Sequence, residues 1–206
     1  HITTGEGGAI TGNDPGLLSR LRRLRDHGIE REPASFEQPS PGPWFYEMQD
    51  LGHNFRLTDI QAALGWSQLR RLEGFLNRRR ALARRYDERL RRLPQAQPVI
   101  AARLVETCAW HLYPVLIDFE SHGTTRTTVM NAMKAQGIGT QVHYIPLPMQ
   151  PYYRRRGWNI EAFPGARRYY ERTLSLPLFT AMTDDDVERV VDALASALNA
   201  EGGGRS

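Results

Sequence analysis

The sequence predicts an α/β chain that contains the end of one domain, a long helix and a compact α+β lobe. Residues 1–57 combine short strand patterns with one helix and an irregular loop. Apolar residues then recur at helical spacing across residues 58–97, which predicts the long helix. Strand and helix patterns alternate across residues 98–200 and predict a small domain there. The polar residues 201–206 are expected to form a disordered tail.

Local signals define the elements of the first part. Residues 2–12 are predicted to form two short strands joined at a glycine-rich turn. Asp14 and Pro15 predict a helix start, because an aspartate caps free amides and proline suits the first helical position. Gly28 is expected to end this helix. Residues 32–43 are rich in proline and glycine and are predicted to form a loop.

The later elements are also predicted from spacing. Thr58 and Gln61 form a capping-box pattern, and the apolar period that follows predicts one helix of about 35 residues, with a bend near Gly74. The remaining elements are predicted as strand, helix, strand, helix, extended segment and helix, at residues 111–118, 126–136, 138–145, 164–173, 174–178 and 184–198.

Composition limits the class of protein. The chain has 206 residues and 40% apolar residues, which suits a globular core. No run of about 18 apolar residues predicts a membrane span. Cys108 is the only cysteine, so no intramolecular disulfide can form, and a reduced, packed thiol is expected. These features predict a cytoplasmic protein.

Lys134 is the only lysine among 27 cationic side chains. It lies in a pattern that reads as an amphipathic helix ending at Gly137. A lysine near a helix C-terminus is stabilised there by the helix dipole and is normally solvated. We therefore interpret Lys134 as a surface residue and not as a catalytic amine.

Four segments carry a family pattern. They are HITTGEGGA at residues 1–9, LGHNFRLTDIQAALG at 51–65, VHYIP and QPYY within 142–153, and YYER and LSLPL within 169–178. In this order they resemble the DegT/DnrJ/EryC1/StrS family of sugar aminotransferases. The resemblance extends across nearly the whole chain. It implies the C-terminal part of an aspartate-aminotransferase-like fold, in which residues 1–57 are the remnant of the large domain.

The resemblance also implies a chemistry. Family members bind pyridoxal 5'-phosphate and transfer an amino group, here expected to come from glutamate, to a nucleotide-linked keto-sugar. They are expected to act as homodimers with active sites at the subunit interface. The lysine that forms the Schiff base would lie immediately before His1, so no catalytic residue is assigned within this chain. The 206-residue chain alone is therefore expected to be inactive.

The resemblance implies two residues at the cofactor. Asn54 precedes the predicted helix start, where backbone amides favour anions. The family pattern implies that Asn54 reaches the cofactor phosphate of the partner subunit. Arg56 is expected either to help neutralise that phosphate or to anchor the loop through an ion pair, and the sequence leaves both roles open.

His143 and Tyr144 are the candidate substrate residues. An imidazole or a phenol at the end of the predicted strand can contact a sugar nucleotide, although a buried structural histidine is an equal alternative. Related sequences often carry a second histidine in this loop, where this chain has Pro148. The histidines and Cys108 lack metal-ligand spacing, so no metal site is predicted.

Three alternatives bear on function. The run WFYEMQDLG at residues 44–52 resembles the pseudaminic-acid branch, which acts on a UDP-linked 4-keto-6-deoxy-N-acetylhexosamine; a dTDP-linked sugar stays open. A noncatalytic fragment or dimerisation partner is a second possibility. The third is a nucleic-acid-binding module, since arginines crowd residues 70–92 and the pI is about 9.5. Those arginines surround the helix instead of forming a stripe, which argues against nucleic acid, and no membrane partner is predicted.

Overall fold

The computed structural model describes residues 1–100, 104 and 106–199. They form two compact units, one of residues Ile2–Arg71 and one from Leu72 onward that also includes His1. We refer to them as the first and second units. The predicted tail at residues 201–206 lies outside the described residues.

The first unit contains two helices and a small sheet. Helix α1 spans Pro15–Arg25, and the Asp14 carboxylate accepts a hydrogen bond of 3.0 Å from the Leu17 amide, which confirms the predicted start. Strand β1 (Ile29–Glu30) pairs antiparallel with β2 (Glu47–Met48). Helix α2 spans Asp59–Leu69. The strands predicted at residues 2–12 are wrong, because no described segment pairs with this part of the backbone.

The single long helix predicted across residues 58–97 is also wrong. Helix α2 ends at Leu69, and a separate helix α3 spans Leu72–Leu90. The interruption lies at residues 70–71, not near Gly74, and it coincides with the boundary between the units. Helix α2 buries none of its residues, whereas α3 buries a set within the second unit. The apolar period continues through the break, but only α3 packs its apolar side chains into a core.

The second unit is built on a three-stranded antiparallel sheet in the order β3-β4-β5. These strands span Ala96–Pro98, Tyr113–Ile117 and Thr173–Leu176. Helices α4 (Arg126–Ala135), α5 (Pro151–Arg154), α6 (Pro164–Arg172) and α7 (Asp184–Asn199) complete it. Helix α7 packs against both α3 and α4. The strand predicted at residues 138–145 is wrong, since only a single bridge joins Gln141 to Ser175.

The core of the second unit contains a polar group beneath aromatic rings. Tyr86 and Tyr113 stack at 4.6 Å and are fully buried. The Tyr113 hydroxyl donates a hydrogen bond to Asp87 Oδ1. Asp87 is only 8% exposed, and burial raises its pKa above the ordinary 3.8, an effect that exceeds the opposing contributions of Tyr113 and Arg91. Asp87 therefore reduces stability once it is charged.

Asp87→Asn is expected to stabilise the protein at neutral pH. Because the pKa of Asp87 is higher in the folded than in the unfolded state, the free energy of unfolding falls as pH rises from 3.8 through the raised value. Asparagine keeps an acceptor for Tyr113 without the charge, so a gain of about 1 kcal/mol is expected at pH ~7 and none under acidic conditions. Urea unfolding across pH measures this. Glu120→Gln, at an exposed carboxylate, is the control. A loss of stability in Asp87→Asn at neutral pH would contradict the prediction.

Candidate functional site

The first candidate cluster lies where the segment around Asn54 pairs with the end of α1. Asp26 and Asn54 form an isolated antiparallel bridge. Backbone hydrogen bonds on either side secure it: the His53 amide donates to the Leu24 carbonyl at 2.8 Å, and the Phe55 amide donates to the Arg25 carbonyl at 2.9 Å. The position of Asn54 is therefore set by main-chain pairing with residues about 30 positions earlier, although its side chain is exposed.

Arg56 holds the side chain of Asn54. Its Nε donates to Asn54 Oδ1 at 3.2 Å, and its Nη1 binds Asp26 Oδ1 at 3.1 Å. A guanidinium only donates hydrogen bonds, so the carboxamide oxygen must face Arg56 and the amide NH₂ is left as a donor on the other branch. The structure thus contains the ion pair that the sequence left open for Arg56, and this pair anchors the loop.

The start of α2 links two of the family segments. Thr58 and Gln61 form the predicted capping box, with the Gln61 amide donating to Thr58 Oγ1 at 3.3 Å and Gln61 Oε1 accepting from the Thr58 amide at 3.1 Å. Gln61 Nε2 also donates to the Glu6 carbonyl at 2.9 Å. The sequence predicted the cap but not this second role, because nothing local relates residues 55 positions apart.

The capping box affects what the helix start can offer an anion. One amide of the first turn is already bonded to Thr58, and Asp59 adds a carboxylate at the helix start. The capped start of α2 therefore attracts an anion less strongly than an uncapped helix N-terminus would. The donors that suit a phosphate here are the Asn54 amide and the Arg56 guanidinium, whose side chain is 53% exposed.

The second candidate pair, His143 and Tyr144, belongs to the second unit. His143 Nδ1 lies 2.9 Å from the hydroxyl of Ser175, which is buried in β5. The rings of His143 and Tyr144 meet edge to face at 4.7 Å, and Tyr144 is exposed.

Asn54 and Arg56 come together in one unit and His143 and Tyr144 in the other. Ser175 was not predicted, although a lone serine within the apolar run 174–178 is a signal that its hydroxyl needs a partner.

Ser175→Ala is expected to release the His143 ring. The Ser175 hydroxyl is hydrogen-bonded to Nδ1, so its loss changes the environment of that nitrogen and the balance between the two ring tautomers. Nitrogen chemical shifts of the imidazole, measured by NMR, report this directly. Thr173→Val, which removes another buried hydroxyl of the same strand, is the matched control and should leave the His143 shifts unchanged. Unchanged shifts in Ser175→Ala would contradict the prediction.

Three further predictions concern Lys134, metal binding and membrane spans. Lys134 is exposed in the last turn of α4, as predicted. Over residues 1–100, 104 and 106–199, no group of three or more histidine, cysteine, aspartate or glutamate side chains is arranged to hold a metal ion. Within the same ranges, no helix is long and apolar enough to cross a membrane.

The chain matches a protein-family model over residues 1–195. The model is that of the DegT/DnrJ/EryC1/StrS aminotransferase family. The match includes both candidate pairs and the segments that flank them.

Individual relatives agree with this match. The uncharacterized protein MJ1066 of Methanocaldococcus jannaschii is 41% identical over 94% of this chain, and the spore coat polysaccharide biosynthesis protein SpsC of Bacillus subtilis is 39% identical over 94%. The chain spans 50% of the length of each. Among solved structures, Spr1654 of Streptococcus pneumoniae, described as a sugar aminotransferase and solved in its PMP form, superposes with a TM-score of 0.79 and 26% identity. That superposition covers 91% of this chain and 46% of Spr1654.

Proposed function

Since this chain belongs to the DegT/DnrJ/EryC1/StrS aminotransferase family, we propose that the full-length protein is a pyridoxal-phosphate-dependent aminotransferase acting on a nucleotide-linked 4-keto-6-deoxy sugar. The observation that carries this proposal is the family match over residues 1–195. The mixed α/β fold matches solved aminotransferase structures over about half of their length. Glutamate is the proposed amino donor.

The first-unit cluster fits the phosphate of the cofactor. Asn54 presents an NH₂ donor on an exposed surface, and Arg56 holds that donor in place through its bond to Oδ1. The Asp26 carboxylate takes up part of the Arg56 charge. We assign the phosphate contact to Asn54 and a positioning role to Arg56. The phosphate that Asn54 contacts is proposed to be that of the partner subunit.

The chemistry itself requires the cofactor. When bound to a lysine, pyridoxal phosphate supplies the electron sink that allows an amino group to pass from donor to acceptor. Lys134 does not fit this task, because it is exposed at the end of a surface helix in the second unit. We propose that the lysine precedes His1 in the full-length protein, and that the 206-residue chain alone does not catalyse transamination.

The second-unit pair is proposed to contact the substrate. The Ser175 hydroxyl orients the His143 ring, and Tyr144 is 70% exposed and free to meet a ligand. A UDP-linked N-acetylhexosamine is favoured over a dTDP-linked sugar by the resemblance of residues 44–52 to the pseudaminic-acid branch.

Helix α2 supports a homodimer. It buries none of its residues within the described chain, and its apolar side chains Ile60 and Trp66 are among the most exposed of their kind. Large apolar side chains left exposed in this way are typical of a protein interface. We therefore propose that α2 contributes to the subunit contact.

The arginines of α3 argue against the nucleic-acid alternative. All six from Arg78 to Arg89 bind partners within the second unit. The ion pairs are Arg78–Asp184, Arg80–Glu73, Arg84–Glu106, Arg85–Glu188 and Arg89–Glu188, and Arg79 donates to the Trp110 and Leu178 carbonyls. Arginines that are already paired within the protein add little to the attraction of a phosphate backbone.

The test is turnover by the full-length protein purified with pyridoxal phosphate. Formation of 2-oxoglutarate from glutamate is measured with UDP-linked and dTDP-linked 4-keto-6-deoxy sugars as acceptors. Activity with the UDP sugar supports the proposal in full, and activity with the dTDP sugar only would correct the substrate. No turnover with any nucleotide keto-sugar, while the cofactor is bound, would overturn it. The 206-residue chain is expected to show no turnover.

A further inference from the structure

An exposed patch of arginines and aromatic rings follows the His143–Tyr144 loop. It consists of Tyr152, Arg154, Arg155, Arg156 and Trp158, which we call the arginine–aromatic patch. The segment from Pro151 to Ile160 contains three arginines and no acidic residue. All three are exposed, and none forms an ion pair among the described residues.

The backbone gathers these side chains on one turn. The Arg155 amide donates to the Pro151 carbonyl at 3.0 Å, and the Gly157 amide donates to the Arg154 carbonyl at 3.0 Å. Gly157 has φ of +84°, which reverses the chain after the arginines. Three consecutive cations held on a closed turn repel one another, so the arrangement is stabilised by an anion that binds more than one of them.

The neighbouring acids are already engaged. Glu161 and Glu171 both pair with Arg167, at 2.6 and 2.8 Å. The guanidinium of Arg156 lies 3.7 Å from the centre of the Tyr152 ring. This stacking holds one guanidinium flat on the surface, where Nη1 donates a long hydrogen bond of 3.5 Å to the Tyr152 carbonyl. The other N–H groups stay available along the edge.

Aromatic faces complete the surface. Tyr152 and Trp158 are 53% and 47% exposed. Trp158 stacks parallel to Phe163 at 5.7 Å, which fixes its ring while leaving part of it open. Guanidinium groups recognise phosphates through paired hydrogen bonds, and an exposed aromatic face suits a planar base.

We infer that the arginine–aromatic patch binds the nucleoside diphosphate of the substrate. The inference rests on the proposed function, because it assumes a nucleotide-linked sugar. In this arrangement the arginines bind the diphosphate and Trp158 stacks on the base. The preceding loop, with His143 and Tyr144, then meets the sugar, so consecutive parts of one segment recognise consecutive parts of the substrate.

Titration calorimetry of the full-length protein tests the inference, with UDP, dTDP, uridine and pyrophosphate as probes. The patch variant is R154Q/R155Q/R156Q. Loss of the arginines is expected to raise the Kd of UDP by about 30-fold, because several charge-assisted hydrogen bonds are lost, and to affect uridine by less than about 2-fold. Pyrophosphate should follow UDP.

The control variant, R20Q/R22Q/R92Q, loses the same charge at exposed arginines elsewhere. If the Kd of UDP rises equally in both variants, the patch assignment is wrong. It is also wrong if the wild type binds UDP and neither variant changes the Kd. In both cases the proposed function is unaffected. If wild-type protein binds neither UDP nor dTDP, the nucleotide-sugar function and the patch assignment both fail. Circular dichroism of each variant verifies that it is folded.

Discussion

Replacing Gly28 with alanine is expected to disorder the segment that carries Asn54. Gly28 has φ of +73°, a conformation that costs an L-residue energy, and a Cβ atom there would lie 1.7 Å from the Asp50 carbonyl oxygen. That oxygen is backbone and cannot swing aside as a flexible side chain would. Backbone strain and the clash together are expected to destabilise the folded segment by about 3 kcal/mol or more. Local unfolding of this segment removes both.

The affected region reaches the candidate site. Gly52 faces Gly28 so closely that its own Cβ would lie 2.1 Å from the Gly28 amide nitrogen. Residues 53–55, which include Asn54, follow directly and pair with the end of α1. Separating the two glycines therefore breaks the Asp26–Asn54 bridge and the contact of Arg56 with both residues.

Hydrogen exchange of the full-length protein measures the effect. Gly28→Ala should increase exchange of the amides of residues 49–55, while the sheet of the second unit stays protected. Gly12→Ala is the matched control, since a Cβ there would meet only Leu18 Cδ2 at 3.8 Å, an ordinary contact. Unchanged protection at residues 49–55 in Gly28→Ala would show that the backbone can open at this point without loss of the bridge.

The elements predicted correctly from the sequence are those with local signals. The Asp14 cap before α1, the capping box of Thr58 and Gln61, and the helix predicted at 126–136 each depend on residues within one or two turns. Strand β4 was also predicted, because its alternating burial follows directly from apolar spacing. Residue type and spacing are enough to predict an element when the interactions that define it lie within a few residues.

The parts that failed depend on long-range contacts. The chain at residues 138–145 has strand-like residues, yet only Gln141 bridges to β5. The break between α2 and α3 separates a helix that buries none of its residues from one that packs into the core of the second unit, and periodicity does not encode this difference.

The candidate sites show the same limit. The family pattern pointed to Asn54 and His143 but not to the distant residues that hold them in place. Asp26, which binds the Arg56 side chain that holds Asn54, lies 30 residues from Arg56, and Ser175 lies 32 residues from His143. Neither pairing leaves a trace in local spacing.

Asn54→Asp is expected to abolish tight binding of pyridoxal phosphate by the full-length protein. An aspartate keeps an oxygen for the Arg56 Nε, so the loop should persist, but it removes the NH₂ donor and places a negative charge where a phosphate dianion is proposed to bind. Because a donor is lost and the new charge repels the phosphate, the affinity for the cofactor is expected to fall by about 100-fold or more. Equilibrium dialysis measures the affinity. Asn13→Asp, an exposed residue of the same unit, is the charge-matched control. Equal affinity in both variants would contradict the assignment.

Mixing variants decides which subunit Asn54 serves. If Asn54 completes the site of the partner subunit, mixed dimers of Asn54→Asp with a variant lacking the cofactor lysine contain one site with both groups intact. Random exchange of subunits then restores about a quarter of wild-type activity, since half of the dimers are mixed and each has one working site. If Asn54 serves its own subunit, every site in the mixed dimer lacks one of the two groups, because the lysine and the asparagine of a given site come from the same chain. Mixing then restores nothing, although each dimer still forms. Recovery of activity on mixing therefore supports a shared site, and its absence in confirmed mixed dimers contradicts it.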